Sequence, residues 1–319
     1  MVPTRLCVGA MLSSILVFNV CVVSGQDYPT KPIRIVTNLA GGGTDFTARI
    51  VAQGISGPLG QPVIVDNRPQ ILTPDIVAKA PSDGYTLLVN GGNIWIYPLM
   101  QKAGYDAVRD LSPITIIERT VSVIAVYPAV PAKSVKELVA FAKAKPGELN
   151  FASSSIGGTS HLACELFKSV AGVNIVHVPY KSTGLAVTAL IAGEVQMVIF
   201  DAGVIAPHVA TGKLRALAVT SAEPSTLAPG LPTAAASGLP GYEAVSINGM
   251  WAPAKTPDAV IKRLNLETLR VLAQPAVKER FFNAKVEPVG SSVEQFAATI
   301  KTEIAKMSKV IKDAGLKTE

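Results

Sequence analysis

The sequence predicts an α/β protein of two layered lobes, and three features carry that prediction. Short apolar runs rich in β-branched residues alternate with amphipathic stretches along the chain. The composition, 49% hydrophobic and 16% charged over 319 residues, supplies enough apolar side chain for more than one buried core. Two segments punctuated by Pro, Gly and Ala, 122–131 and 221–257, read as places where the chain crosses from one lobe to the other. The expected division is a signal peptide over 1–25, a first lobe built from 26–124 and 246–319, and a second lobe over 125–245.

Taken in order, strands are expected at 33–36, 63–65, 87–89, 121–126, 150–152, 175–178, 197–200 and 214–219, with 242–251 as a strand returning from the second crossing. Helices are expected at 45–56, 134–145, 160–171, 185–192 and 257–274, and 293–312 closes the chain as a long amphipathic helix. Strands alternating with helices argue for mainly parallel sheets with helices on their faces. Ser134 followed by Glu137 has the form of a capping box, and Pro146-Gly147 of a stop. A chain that crosses twice leaves a cleft between its lobes, where small-molecule sites preferentially lie.

The first 25 residues carry one charge, Arg5, then an apolar run over 6–23 and a small-residue stretch ending at Gly25. That is the pattern of an export signal cleaved after Gly25. Its removal takes the formal charge from +6 to +5 and leaves Cys164 as the single cysteine of the mature chain. Cys164 sits in a helical pattern and reads as a buried structural thiol. The scattered lysines give no nucleic-acid footprint, and no Cys/His cluster has metal-site spacing. Neither a metal nor a cofactor is expected.

Ala40-Gly41-Gly42-Gly43-Thr44-Asp45 lies between an expected strand and helix. Glycines there allow a tight turn and close backbone approach, and the free N–H groups of the first helical turn suit a carboxylate or phosphate. A dinucleotide site is disfavoured, because Phe46 stands where the last glycine of G-x-G-x-x-G belongs, and no P-loop lysine follows. The alternative is a tight turn with Asp45 capping the helix. A second loop of the same kind, 151–161, contains Ser153, Gly157, Thr159 and His161. Two such nests, one in each lobe, would grip an anion from both sides. Nucleophile-elbow and zinc-protease signatures are absent. A hydrolase would have to assemble Ser153, His161 and Asp201 in space.

Several phrases in order along the mature chain closely resemble the Bug (TctC-like) family of extracytoplasmic solute receptors. They include Tyr28-Pro29-Thr30-Lys31-Pro32-Ile33-Arg34, Gly41-Gly42-Gly43-Thr44-Asp45, Leu59-Gly60-Gln61-Pro62-Val63, Asn67-Arg68-Pro69 and Asp83-Gly84-Tyr85-Thr86-Leu87-Leu88. Later come His161-Leu162, His177-Val178-Pro179-Tyr180-Lys181 and the run from Gly212 to Val219. The resemblance implies a type II periplasmic binding protein fold, two α/β lobes around a hinged ligand cleft, and a receptor without enzymatic activity.

It also implies the partners: a small organic acid (di- or tricarboxylate, acidic amino acid or aromatic carboxylate), handed as a rule by a monomer to the membrane subunits of a tripartite tricarboxylate transporter. A sensor docking with a signalling partner is the alternative within the same fold. The ligand-binding residues carried over are Gly42, Gly43, Thr44 and Asp45 from the first loop, Ser153, Gly157, Thr159 and His161 from the second, and Asp201 at the cleft. The chain departs from the family after Asn67-Arg68-Pro69. Residues 70–75 are Gln-Ile-Leu-Thr-Pro-Asp where a glycine-rich stretch is usual. A less polar cleft wall near Ile71 and Leu72 is the expected result, favouring a ligand with an apolar body.

Overall fold

Each β-branched run pairs with another, and the pairings fix the architecture. The computed structural model describes residues 28–316; the expected signal segment, 1–25, lies outside the described residues. Among the described residues no helix is long and apolar enough to cross a membrane.

In the first lobe, β1 (Ile33–Thr37) lies parallel to β2 (Val63–Asn67) and β3 (Thr86–Gly91). The crossovers are α1 (Gly43–Leu59) and α2 (Thr73–Ala78). Helix α3 (Asn93–Met100) follows β3 and leads to β4 (Leu111–Val126). In the second lobe, α4 (Val135–Ala144), β5 (Asn150–Ser153), α5 (Thr159–Ala171), β6 (Val176–Pro179), α6 (Thr183–Ala192), β7 (Met197–Asp201), α7 (Ala202–Ala210) and β8 (Arg215–Val219) follow one another. Strand β5 is parallel to β6 and β7. The chain returns through β9 (Val245–Pro253) and ends with α8 (Asp258–Ala273), α9 (Pro275–Asn283), the two-residue β10 (Glu287–Pro288) and α10 (Val293–Asp313). The strand order is β2-β1-β3-β9-β4-β7-β5-β6, with β8 and β10 also on β4.

Strand β4 belongs to both lobes. From Leu111 to Val121 it runs antiparallel to β9, and from Ser122 to Val126 antiparallel to β7. The change of partner thus falls between Val121 and Ser122, inside an unbroken strand and three residues before the boundary expected after 124. Thr220 and Ser122 fasten the junction, the Thr220 amide donating to Ser122 O at 2.9 Å and the Thr220 hydroxyl at 3.0 Å. The expected strand at 121–126 is therefore the second half of a much longer one. Helices α2, α3, α7 and α9 were not expected. Two of them, α3 and α7, carry an internal proline, Pro98 and Pro207, which reads as a break in sequence.

Three apolar clusters hold the layers. One lies under α1 and α8 around Ile50, Ile55, Leu87 and Leu264, and one in the second lobe around Val123, Leu190 and Phe200. The third spans both lobes: Trp95 and Trp251 of the first meet Leu162 and Phe167 of the second, with Phe296, Ile300, Met307 and Val310 of α10 packed over them. Helix α10 starts on a full capping box between Ser292 and Gln295. The expected box at Ser134 is half formed, because Glu137 accepts from Lys133 N instead of Ser134 N.

Candidate functional site

The glycines of the first loop are cut to fit α1. Gly41 adopts φ +86°, open to glycine without strain. Gly42 is the N-cap. Asp45 does not cap the helix. It lies 5% exposed with its carboxylate turned inward, accepting from Gly41 N at 2.9 Å, Arg49 Nε at 3.1 Å and Asn67 Nδ2 at 2.8 Å. Burial pushes its pKa up, and the bonds from Arg49, Gly41 and Asn67 outweigh that and hold it below the usual carboxylate range. Asp45 thus closes the loop from beneath, its carboxylate engaged by Gly41, Arg49 and Asn67. Its effect is to present the first-turn amides of Gly43, Thr44 and Asp45, which have no protein acceptor among the described residues. Gly42 and Gly43 are exposed and Thr44 half-buried.

These glycines line a cavity of about 450 Å³ with Glu118 and Thr120 of β4, Asp201 at the end of β7, Asn248 of β9 and Lys285. Asp201 is open to solvent, yet the walls around it raise its carboxyl above the ordinary value; the Ser122 hydroxyl, donating at 3.2 Å, pulls the other way. Glu118 is 2% exposed, accepts from Asn248 Nδ2 through Oε1, and has no partner for Oε2. Burial first, and the Asp201 charge after it, push its carboxyl up to about 7, against the Asn248 bond and the nearby Thr47 hydroxyl, whose proton goes to Gly43 O at 3.0 Å.

The second loop is held from below by a row of aromatic and polar groups. Ser153 is fully buried at the end of β5 and donates to Ser155 O at 3.1 Å. Its oxygen also lies 2.7 Å from His177 Nε2, a second hydrogen bond that ties β5 to β6. His177 stacks on His161 at 3.8 Å between centroids. Burial, then the neighbouring His161, lower its pKa to about 4. His161, 1% exposed, accepts from Gly157 N through Nδ1 at 2.9 Å and turns Nε2 toward Glu165 at 3.6 Å. Ser153 and His161 therefore shape the loop and do not reach the cleft. The triad needed for a hydrolase does not form, because Ser153 meets His177 and is sealed from solvent, while Asp201 lies on Ser122. Cys164 is buried, with burial raising its thiol pKa, as fits a structural role.

Gly157 and Gly158, with Ser155 and Ile156, line a second cavity of about 400 Å³ with Gln70, Asn90, Asn93 and Tyr97. Thr159 is exposed and borders a third space of about 50 Å³ with Ser122 and Trp95, next to Asp201 on the cleft floor. In this arrangement the two loops line neighbouring cavities and not one. Ile71 does line the second cavity, and Leu72, the α2 N-cap, does not. The lobes meet across the cleft at two glycines. A Cβ on Gly157 would stand 2.7 Å from Met100 Sδ, and one on Gly203 2.9 Å from Lys285 Cβ. Sequence reasoning missed Glu118, Asn248, Lys285 and Asn93. An acid within the apolar run Ile116-Ile117-Glu118 was the one available signal.

The TctC profile, described as tripartite tricarboxylate transporter family receptor, matches residues 47–316. The chain belongs to the TctC family. The protein BugT of Bordetella pertussis is 34% identical over 302 residues, covering 92% of this chain and 93% of that one. A protein from the tcbD-tcbE intergenic region of Pseudomonas sp. strain P51 is 36% identical over 293 residues, 89% of this chain and 86% of the relative. Among solved TctC-like structures, the R. palustris protein Rpa4515 with adipate is 34% identical with TM-score 0.73, over 91% of this chain and 99% of that one. MatC of Rhodopseudomonas palustris, solved with bound malate, is 26% identical with TM-score 0.69, over 89% and 100%. A TctC solute-binding protein from Polaromonas shares the fold at TM-score 0.81 and 22% identity, over 90% and 99%. The expected type II periplasmic binding protein architecture is the one observed.

Proposed function

We propose that this TctC receptor works in the periplasm, captures a small carboxylate-bearing molecule between its lobes and hands it to membrane subunits of a tripartite tricarboxylate transporter. The observation that carries the reading is the set of unclaimed amides at the start of α1, presented to a solvent-filled cleft by a buried carboxylate. Each charge-assisted hydrogen bond contributes roughly 1.5–3 kcal/mol. Three or four then supply most of the ~8 kcal/mol behind a micromolar dissociation constant. The adipate and malate held by two relatives support the same class of ligand. Within this reading, 1–25 is the removed signal, 26–124 with 246–319 form one lobe and 125–245 the other. Gly42, Gly43 and Thr44 bind through backbone in the cavity at the start of α1, and closure of the lobes brings Gly157 and Thr159 onto the same ligand. Ile71 favours a ligand with an aliphatic or aromatic body.

The test is thermal unfolding of the chain from Gln26 onward against a panel of small carboxylates, after unfolding and refolding to strip carried-over ligand. A hundredfold excess over the dissociation constant adds about 2.7 kcal/mol. A Cβ at Gly43 meets no atom within 4 Å, so Gly43→Ala should fold normally and lose most of the acid-induced shift. The absence of a shift with every acid would defeat the reading.

A further inference from the structure

We propose that Glu118, together with Asp201, makes the cavity at the start of α1 select a ligand that carries a protonated amine beside its carboxylate, an amino-acid-type zwitterion in place of a plain diacid. The proposal rests on the carboxylate reading above and adds a second recognition point to it.

Glu118 is almost wholly buried, yet its Oε2 has no hydrogen-bond partner, and the residue borders the cavity. Buried carboxyl oxygens without a donor are rare, because stripping such an atom of its bonds is costly. The other oxygen is fixed by Asn248, which stands opposite Glu118 in the β4–β9 register, so the carboxyl is held in place by the sheet itself. Asp201 adds a second acceptor to the same wall: Ser122 donates to its Oδ1, and the residue is exposed. Lys285, the cation that lines the cavity, holds its ammonium over the Phe282 ring at 5.2 Å and pairs with neither acid. On the adjoining strands Arg119 pairs with Glu287 at 2.9 Å, and Glu287 also accepts from the Ser225 hydroxyl.

The cavity therefore has two unlike ends, free amides at one and two acids at the other, Glu118 with a buried oxygen that lacks a donor and Asp201 open to solvent. A ligand carboxylate placed on the amides leaves room beside it for a donor between Glu118 and Asp201. An ammonium there satisfies both acids. The second carboxylate of a plain diacid in the same place meets the charge of Asp201. The raised pKa values of both acids agree with a pair that lacks its cation.

The experiment is isothermal titration at pH 8 with matched probes differing only by the amine: propionate and alanine, succinate and aspartate, glutarate and glutamate, phenylpropionate and phenylalanine. At least one amino acid should bind about tenfold or more tighter than its partner. In Glu118→Gln and in Asp201→Asn that ratio should fall by about the same factor, with circular dichroism confirming the fold. A ratio near one or favouring the plain acids overturns the proposal and leaves the carboxylate reading standing. So does a ratio that survives both substitutions. No binding by any member of any pair overturns both.

Discussion

Glu118 stores a stability penalty that pH can switch on, and a single amide substitution should remove it. The carboxyl titrates near 7 in the folded chain, because burial and then Asp201 disfavour its charge, against about 4.3 for a free glutamate. Below about pH 4 both folded and unfolded chains hold the proton, and the group is neutral with respect to stability. Between there and 7 the unfolded chain releases the proton while the folded one keeps it, so stability falls as pH rises. Above 7 the full penalty applies. At about 1.4 kcal/mol per pH unit this amounts to about 4 kcal/mol. Glu118→Gln keeps an acceptor for Asn248 and removes the charge. The variant should melt roughly 6–8 °C higher than the natural chain at pH 8. At pH 4.5 the difference should vanish. Calorimetry in buffers free of carboxylates, at pH 4.5, 6 and 8, gives the comparison. An equal shift at all three values, or a lower melting temperature at pH 8, would refute the reasoning.

Asp45→Ala removes the carboxylate that gathers Gly41 N, Arg49 and Asn67, and should destabilise the chain by about 1–3 kcal/mol in urea denaturation at pH 7. Since the folded Asp45 pKa is depressed, its contribution is present above the ordinary carboxylate range and should fade as pH falls through the folded value. Gly203→Ala places a Cβ 2.9 Å from Lys285 Cβ where the lobes meet, so the contact must shift and acid binding should weaken severalfold. An unaltered affinity in titration would show that this contact does not govern closure.

The sequence made the layers readable wherever one face of an element carries the signal. The strands at 33–36 and 197–200 are buried runs of β-branched and apolar residues, broken only by the exposed Arg34, and they emerged within one residue of the observed β1 and β7. The first half of β4 escaped because Pro113, Glu118 and Arg119 break its apolar run. Its place is fixed by β9, more than a hundred residues away, and not by local preference. The glycine loops were legible as backbone nests, since glycine at such a turn has a conformational reason. The direction of the polar side chains near them was not. Asp45, Ser153 and His161 read as cleft residues, and each turns inward, because hydroxyl, imidazole and carboxylate groups serve equally to brace a loop. Glu118 and Asn248 become a pair only once the register of two distant strands is known.

The crossing between lobes is a hydrogen-bonded ribbon: β4 passes through it unbroken, and β9 begins beside it at Val245. Loose linkers let two bodies wander over many orientations, all of which must be surrendered when a solute is trapped. A paired ribbon behaves as an elastic strip, with bending and twisting as its soft modes. The empty receptor then samples a narrow fan of gapes around one axis, and little configurational freedom is forfeited at capture. Most of the affinity gained at capture is therefore kept, which suits a receptor working on scarce solute.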